Sequence, residues 1–254
     1  MASSAADEQA APLAERIAHH RRWTVAVLAL VTLAAWAWLA TRPMMMAPSL
    51  PMVVLMWSVM MAAMMLPSAA PAILLYGRVA AQHRGAVGPS SHFLAGYLVA
   101  WSGFSLIAAA VQVAATTSGL LDPMNLHTSA AVSAALWIAA GLYQLTPLKG
   151  SCLAQCRSPA AFLARHWRAG PAAGLRLGLA HGLFCIGCCG ALMALLFVGG
   201  AMNLAWAAAL AVIVAVEKTM PRGDRIGRLA GLAMVGWGVA RIVTPALSRG
   251  PPAF

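Results

Sequence analysis

Carboxylates are nearly missing from this sequence. Six Asp and Glu residues serve 254 positions, and Asp7, Glu8 and Glu15 fall in the first fifteen. Mg2+ and Ca2+ take oxygen ligands, so a site for either is not expected. Charge of both signs is scarce: 9% of residues carry it, against about 25% in a soluble domain. No polar stretch is long enough to link two domains, and no fixed-period repeat occurs. No phosphate-binding loop of the G-x-x-x-x-G-K-[ST] kind is present, nor any loop large enough for a catalytic domain. These gaps exclude a soluble enzyme, and primary active transport by this chain alone.

What fills the space is apolar length. Hydrophobic residues make up 61% of the chain and mean hydropathy is +0.78. Seven segments can be drawn near the about 20 residues that a helix needs to cross a bilayer. They are Trp23–Ala40, Met52–Tyr76, His92–Ser118, Thr128–Thr146, Gly174–Val198, Met202–Val216 and Ile226–Val243, the sixth being the shortest. The expected fold is an all-α, polytopic helical membrane bundle of about seven transmembrane helices. Residues 1–22 read as a polar cytoplasmic tail and 23–254 as a single transmembrane domain. The first apolar segment is retained as an anchor, because no small-residue cleavage site follows it.

The net charge of +11 would suit a polyanion, but its placement argues otherwise. With the N-terminus cytoplasmic, the inner side holds Arg16, Arg21, Arg22, Arg78, Arg84, Lys149, Arg157, Arg165, Arg168, Arg176, Lys218, Arg222, Arg225 and Arg228. Only Arg42, Arg241 and Arg249 fall outside. That is the positive-inside pattern, so the partner is a lipid bilayer and not nucleic acid.

The chemistry-bearing residues are sulfur. The stretch HGLFCIGCCG places His181, Cys185, Cys188 and Cys189 on one apolar segment. At about 100° per residue, with His181 at zero, the cysteines project near 40°, −20° and 80°, within roughly one 100° stripe. A lone buried Cys packs as a small hydrophobe; three in five residues, one turn from a histidine, need a further reason. One helix cannot close a metal site alone. Cys152 and Cys156 share a face if their segment is helical, and the second segment supplies Met60 and Met64 within an i+4 ladder that begins at Met52 and Met56, with Met65 in a second i+4 pair with Met61. Soft thiolate and thioether donors favour Cu(I), with zinc less favoured though served by Cys and His.

Smaller expectations attach to other residues. Pro67 and Pro71 are expected to kink or break the second helix. Ser102, Ser105, Gln112 and Ser133 are read as interhelical hydrogen-bonding groups, and His92 and His127 as helix-end caps. Trp23 and Trp167 suit membrane interfaces. Glu217 and Lys218 are expected to pair with each other at the inner surface.

Four stretches carry a resemblance: WSVMMAAMMLP (Trp57–Pro67), YQLTPLKGSCLAQCRSP (Tyr143–Pro159), HGLFCIGCCGALM (His181–Met193) and GGAMNLAWAAALAVIVAVEKTMP (Gly199–Pro221). In this order they resemble the predicted metal-binding integral membrane protein family of bacteria, a domain of unknown function whose members are suspected of supplying copper to copper enzymes. The resemblance spans about two thirds of the chain. It implies roles for Trp57, Met60, Met64, Met65 and Pro67, for Pro147, Lys149, Cys152 and Cys156, for Cys185, Cys188 and Cys189, and for Asn203, Glu217 and Lys218. The chain departs from the family pattern at Gly190, where an aromatic is expected.

The expected function is a non-enzymatic, copper-handling protein of a bacterial-type inner membrane. Cu(I) would be held by Cys185, Cys188 or Cys189 with help from Met60 and Met64, while Cys152 and Cys156 would pass it at the cytoplasmic face. A partner copper-dependent enzyme or another copper carrier would exchange the ion. Two readings from other classes stand beside it: a transmembrane thiol-disulfide relay using Cys185 and Cys188, and a non-catalytic subunit of a larger membrane complex.

Overall fold

The computed structural model describes residues 2–41, 49–82, 88–122, 128–201 and 203–244. His127, Arg42, Arg84 and Arg249 lie outside them. Among the described residues the secondary structure is helical, with a single isolated bridge between Leu121 and Thr128 and no strand. The helices are α1 (Ala2–Thr41), α2 (Leu50–Gln82), α3 (Ser90–Thr117), α4 (Ala130–Gln144), α5 (Pro147–Arg157), α6 (Pro159–His166), α7 (Ala173–Ala194), the single turn α8 (Leu196–Gly199), α9 (Leu204–Thr219) and α10 (Gly223–Val243).

Five stretches are long and apolar enough to cross a membrane: Arg21–Thr41, Leu50–Gln82, Ser90–Thr117, Ala173–Gly199 and Gly223–Val243. The pair α4 and α5, bent by 65°, makes up to six. The remaining expected span, α9, has 16 residues, or about 24 Å of helix against a hydrocarbon core of about 30 Å. Gln144, the last residue of α4, is buried and bonds to Glu217, which lies two residues before α9 ends at Thr219.

Helix α2 runs unbroken through Pro67 and Pro71. Of the expected kink or break, the break does not occur. Each proline removes one N–H; nearby, Ser68 Oγ of α2 and Tyr97 Oη of α3 both donate to the Met65 carbonyl. Of the polar residues of α3 and α4 expected to bond between helices, Gln112 does so, while Ser105 and Ser133 bond locally. Gln112 accepts from Trp57 Nε1 at 2.7 Å, Ser105 back-bonds to Trp101 O, and Ser133 pairs with Thr128.

In a membrane, helices associate through close packing and not through hydrophobic exclusion, so small residues mark their contacts. The extensive α3–α7 and α4–α10 contacts are of this kind. On α7, Gly174, Gly178 and Gly182 recur every fourth residue against α3. A Cβ at Gly178 would overlap the carbonyl oxygen of Phe93, and one at Gly182 would lie 2.5 Å from Ala100 Cβ. Gly231 and Gly238 do the same on α10, against Gln144 and Ile138.

This packing yields a sharp contrast between glycines. Gly178→Ala forces a methyl onto backbone that cannot swing aside and is expected to cost about 1–3 kcal/mol, the usual range for overpacking. Gly103→Ala and Gly236→Ala, where a Cβ meets open space, are expected to be neutral or stabilising by up to about 1 kcal/mol. Thermal unfolding of the detergent-solubilised protein separates them; equal midpoints for all three would contradict the close approach of α3 and α7.

Candidate metal centre

Halfway along α7, thiols from one helix meet sulfur from two others. Cys188 Sγ lies 3.8 Å from Cys156 Sγ on α5. Cys189 Sγ lies 3.7 Å from Met65 Sδ on α2. Cys185 Sγ is 3.1 Å from the Tyr97 hydroxyl on α3 and accepts from Lys218 Nζ of α9 at 3.0 Å. The thiols of Cys188 and Cys189 also bond back to the Cys185 carbonyl, at 3.1 and 3.0 Å. All five cysteines are free thiols, and all but Cys152 are buried.

The geometry follows from local structure. Thr146 caps α5, accepting from Lys149 N, and Pro147 occupies the first turn, where a missing N–H costs nothing. The segment is thus helical, which places Cys152 and Cys156 on one face, turned to α7. Cys152 Sγ approaches Gly187 so closely that a Cβ there would stand 2.6 Å away. Tyr143, at the end of α4, donates its hydroxyl to the Gly187 carbonyl. Glycine at position 187 is what lets α5 lie directly on the cysteine turn.

Beside the sulfur sits a second buried cluster. Lys149 and Glu217, 2% and 1% exposed, form an ion pair at 2.7 Å, and Gln144 Nε2 donates to the other Glu217 oxygen at 2.8 Å. The expected pairing of Glu217 with Lys218 is therefore wrong. Adjacent residues on a helix point about 100° apart, so Glu217 faces α4 and α5 while Lys218 faces α2 and α7, bonding Ser68 Oγ as well as Cys185. Both lysines also leave the set of inner-surface charges read from the sequence: they are interior groups.

Each expected site residue can now be placed. Cys156, Cys185, Cys188, Cys189 and Met65 come together, with Cys152 one turn along α5. Met60 does not join them; with Met56 it lines a small cavity of about 10 Å³ together with Trp36, Leu39 and Asn203. Met64 is buried but turned about 100° from Met65. His181 is buried one turn before Cys185, among Phe93, Tyr97 and Phe162, and its Nδ1 has no hydrogen-bond partner among the described residues. Among the described residues no three His, Cys, Asp or Glu side chains are arranged to hold one ion. What the arrangement offers is pairs of sulfurs, which suits an ion of low coordination number better than a tetrahedral one.

Sequence reasoning passed over Tyr97, Ser68 and Gln144, and misjudged Lys149. Nothing in the spacing of Tyr97, Ser68 or Gln144 announces a role, since each reaches the site through packing. Lys149 and Lys218 did carry a signal: a charge adjoining an apolar helix is costly unless partnered, and so marks function.

One comparison with known proteins succeeds. A family model described as PpoB2, copper chaperone, matches residues 54–241. No curated protein and no solved structure matches the chain. The matched stretch takes in every thiol, both buried lysines and Glu217, and leaves out α1.

Proposed function

Because the chain belongs to the copper chaperone family PpoB2, we propose that it is a multi-pass membrane carrier that holds one Cu(I) between thiolates of α5 and α7. The ion is cargo, passed to a copper-dependent enzyme or to another carrier. The observation that carries this reading is the convergence of sulfur from α2, α5 and α7 within 4 Å contacts in the buried centre of the bundle. Copper(I) is soft and accepts two or three sulfur ligands, which pairs such as Cys156 with Cys188 provide.

The ligands are two thiolates drawn from Cys156, Cys185, Cys188 and Cys189, with the Met65 thioether as a neutral third donor. Binding releases thiol protons and leaves a complex of net charge −1. Cys152, less buried than the others, is the exchange thiol: a ligand replacement between Cys152 and Cys156 moves the ion by one helical turn without releasing it to water. Around this centre the bundle crosses a bacterial-type inner membrane seven times with a cytoplasmic N-terminus, α9 being the short span. The loop arginines between the apolar segments support that orientation.

The test begins with the whole protein, purified in detergent under reducing conditions and supplied with Cu(I). Elemental analysis is expected to give roughly one copper per chain and no zinc. Recovery of the cysteines as a disulfide that turns over with no dependence on copper would instead favour a thiol-disulfide relay. Absence of bound copper would overturn the proposal. Cys152→Ser is expected to keep the same copper content while slowing loading several-fold, as read by the time course of uptake from a copper-chelator complex. Loss of the bound ion itself would move Cys152 into the ligand set.

A further inference from the structure

Lys218 is a cation with an unusual address. It is buried, among the described residues its Nζ bonds Ser68 Oγ and Cys185 Sγ, and the neighbouring carboxylate, Glu217, is already engaged by Lys149 and Gln144. Lys149 and Glu217 cancel, so the interior of this part of the bundle carries one positive charge in excess. A buried ammonium without an anion is costly. The one partner of Lys218 able to supply negative charge is the sulfur cluster itself.

From this charge count we infer that Lys218 makes the centre selective for a monovalent soft ion over a divalent one. The inference rests on the copper reading and adds a rule to it. Two thiolates and a +1 ion make a −1 complex, which Lys218 neutralises at hydrogen-bond distance. The same two thiolates and a +2 ion make a neutral complex, which leaves the ammonium buried and unbalanced. A third thiolate would restore the balance for a divalent ion, but no three Cys, His, Asp or Glu side chains among the described residues are arranged around one point. Softness is thus only half of the discrimination, and Lys218 supplies the other half by charge.

Silver(I) and cadmium(II) separate the two halves, because both are thiophilic d10 ions that differ by one unit of charge. The full-length reduced protein is titrated with each metal alone and with both in competition, and bound metal is read by elemental analysis. Wild type is expected to take Ag(I) and Cu(I) and to reject Cd(II). Lys218→Met, of similar length but neutral, is expected to lose about 10–100-fold in its Ag(I)-to-Cd(II) preference, the range typical of groups just outside a metal's ligands. Lys218→Arg, which keeps the charge, is expected to restore it. Equal uptake of Ag(I) and Cd(II) by wild type, or an unchanged preference in Lys218→Met, would overturn the inference while leaving copper binding intact. Should Lys218→Met fail to fold, the wild-type competition and Lys218→Arg still decide: an arginine variant that accepts Cd(II) as readily as Ag(I) overturns it. Failure of wild type to bind either Cu(I) or Ag(I) would instead strike the copper reading beneath it.

Discussion

Changing Cys185, Cys188 and Cys189 together to Ser is expected to lower bound copper from roughly one ion per chain to background. Serine keeps the size of each side chain and removes the soft donor, so the α7 backbone and its packing on α3 are retained. The single changes should grade. Cys188→Ser removes the thiol that faces Cys156 on α5 and is expected to be the most severe. Cys189→Ser, whose neighbour is the Met65 thioether, is expected to weaken binding while keeping measurable copper. Elemental analysis beside a thermal unfolding curve for each variant checks the grading; a triple variant that folds and still binds wild-type copper would refute the cysteine assignment.

The second large effect concerns stability. Glu217→Gln leaves the Lys149 ammonium in the interior with no anion, and Lys149→Met leaves the carboxylate likewise. Breaking a buried pair from one side costs about 3–5 kcal/mol, because one unpaired charge remains behind. Removing both charges together, as in Lys149→Met with Glu217→Gln, is expected to recover most of that loss. Unfolding midpoints of the two singles and the double complete the cycle. A double variant as unstable as the sum of the singles would mean that the ion pair is not the isolated unit described here.

The long spans were legible because apolar length is written directly in the sequence; α1, α2, α3, α7 and α10 all fall where hydropathy puts them. The ends of α4 and α9 were not. Near those ends Gln144 and Glu217 meet partners 68 or more positions away, and no local pattern encodes such a meeting. The same limit explains the lysines. Lys149 and Lys218 look like positive-inside charges when counted by loop, and only tertiary packing reveals that they are enclosed.

Within the candidate centre, the angular argument for α7 held: residues 185, 188 and 189 do share a face. It held because all three sit on one helix, where 3.6 residues per turn fixes their directions. For the methionines the same arithmetic gave a ladder but could not choose its rung. Met60 and Met65 differ by about 140° on α2, and it is Met65 whose sulfur reaches Cys189. The glycines of α7 are readable as a small-residue stripe at four-residue spacing, and they set how near α3 and its Tyr97 come to Cys185.

Copper K-edge absorption on the Cu(I)-loaded, full-length protein tests the central claim most directly. The account predicts a Cu(I) edge and a first shell made only of sulfur, with two short distances, which changes when Cys156 or Cys188 becomes Ser. A shell of nitrogen or oxygen, or a spectrum that is the same in wild type and in both of those variants, would contradict it.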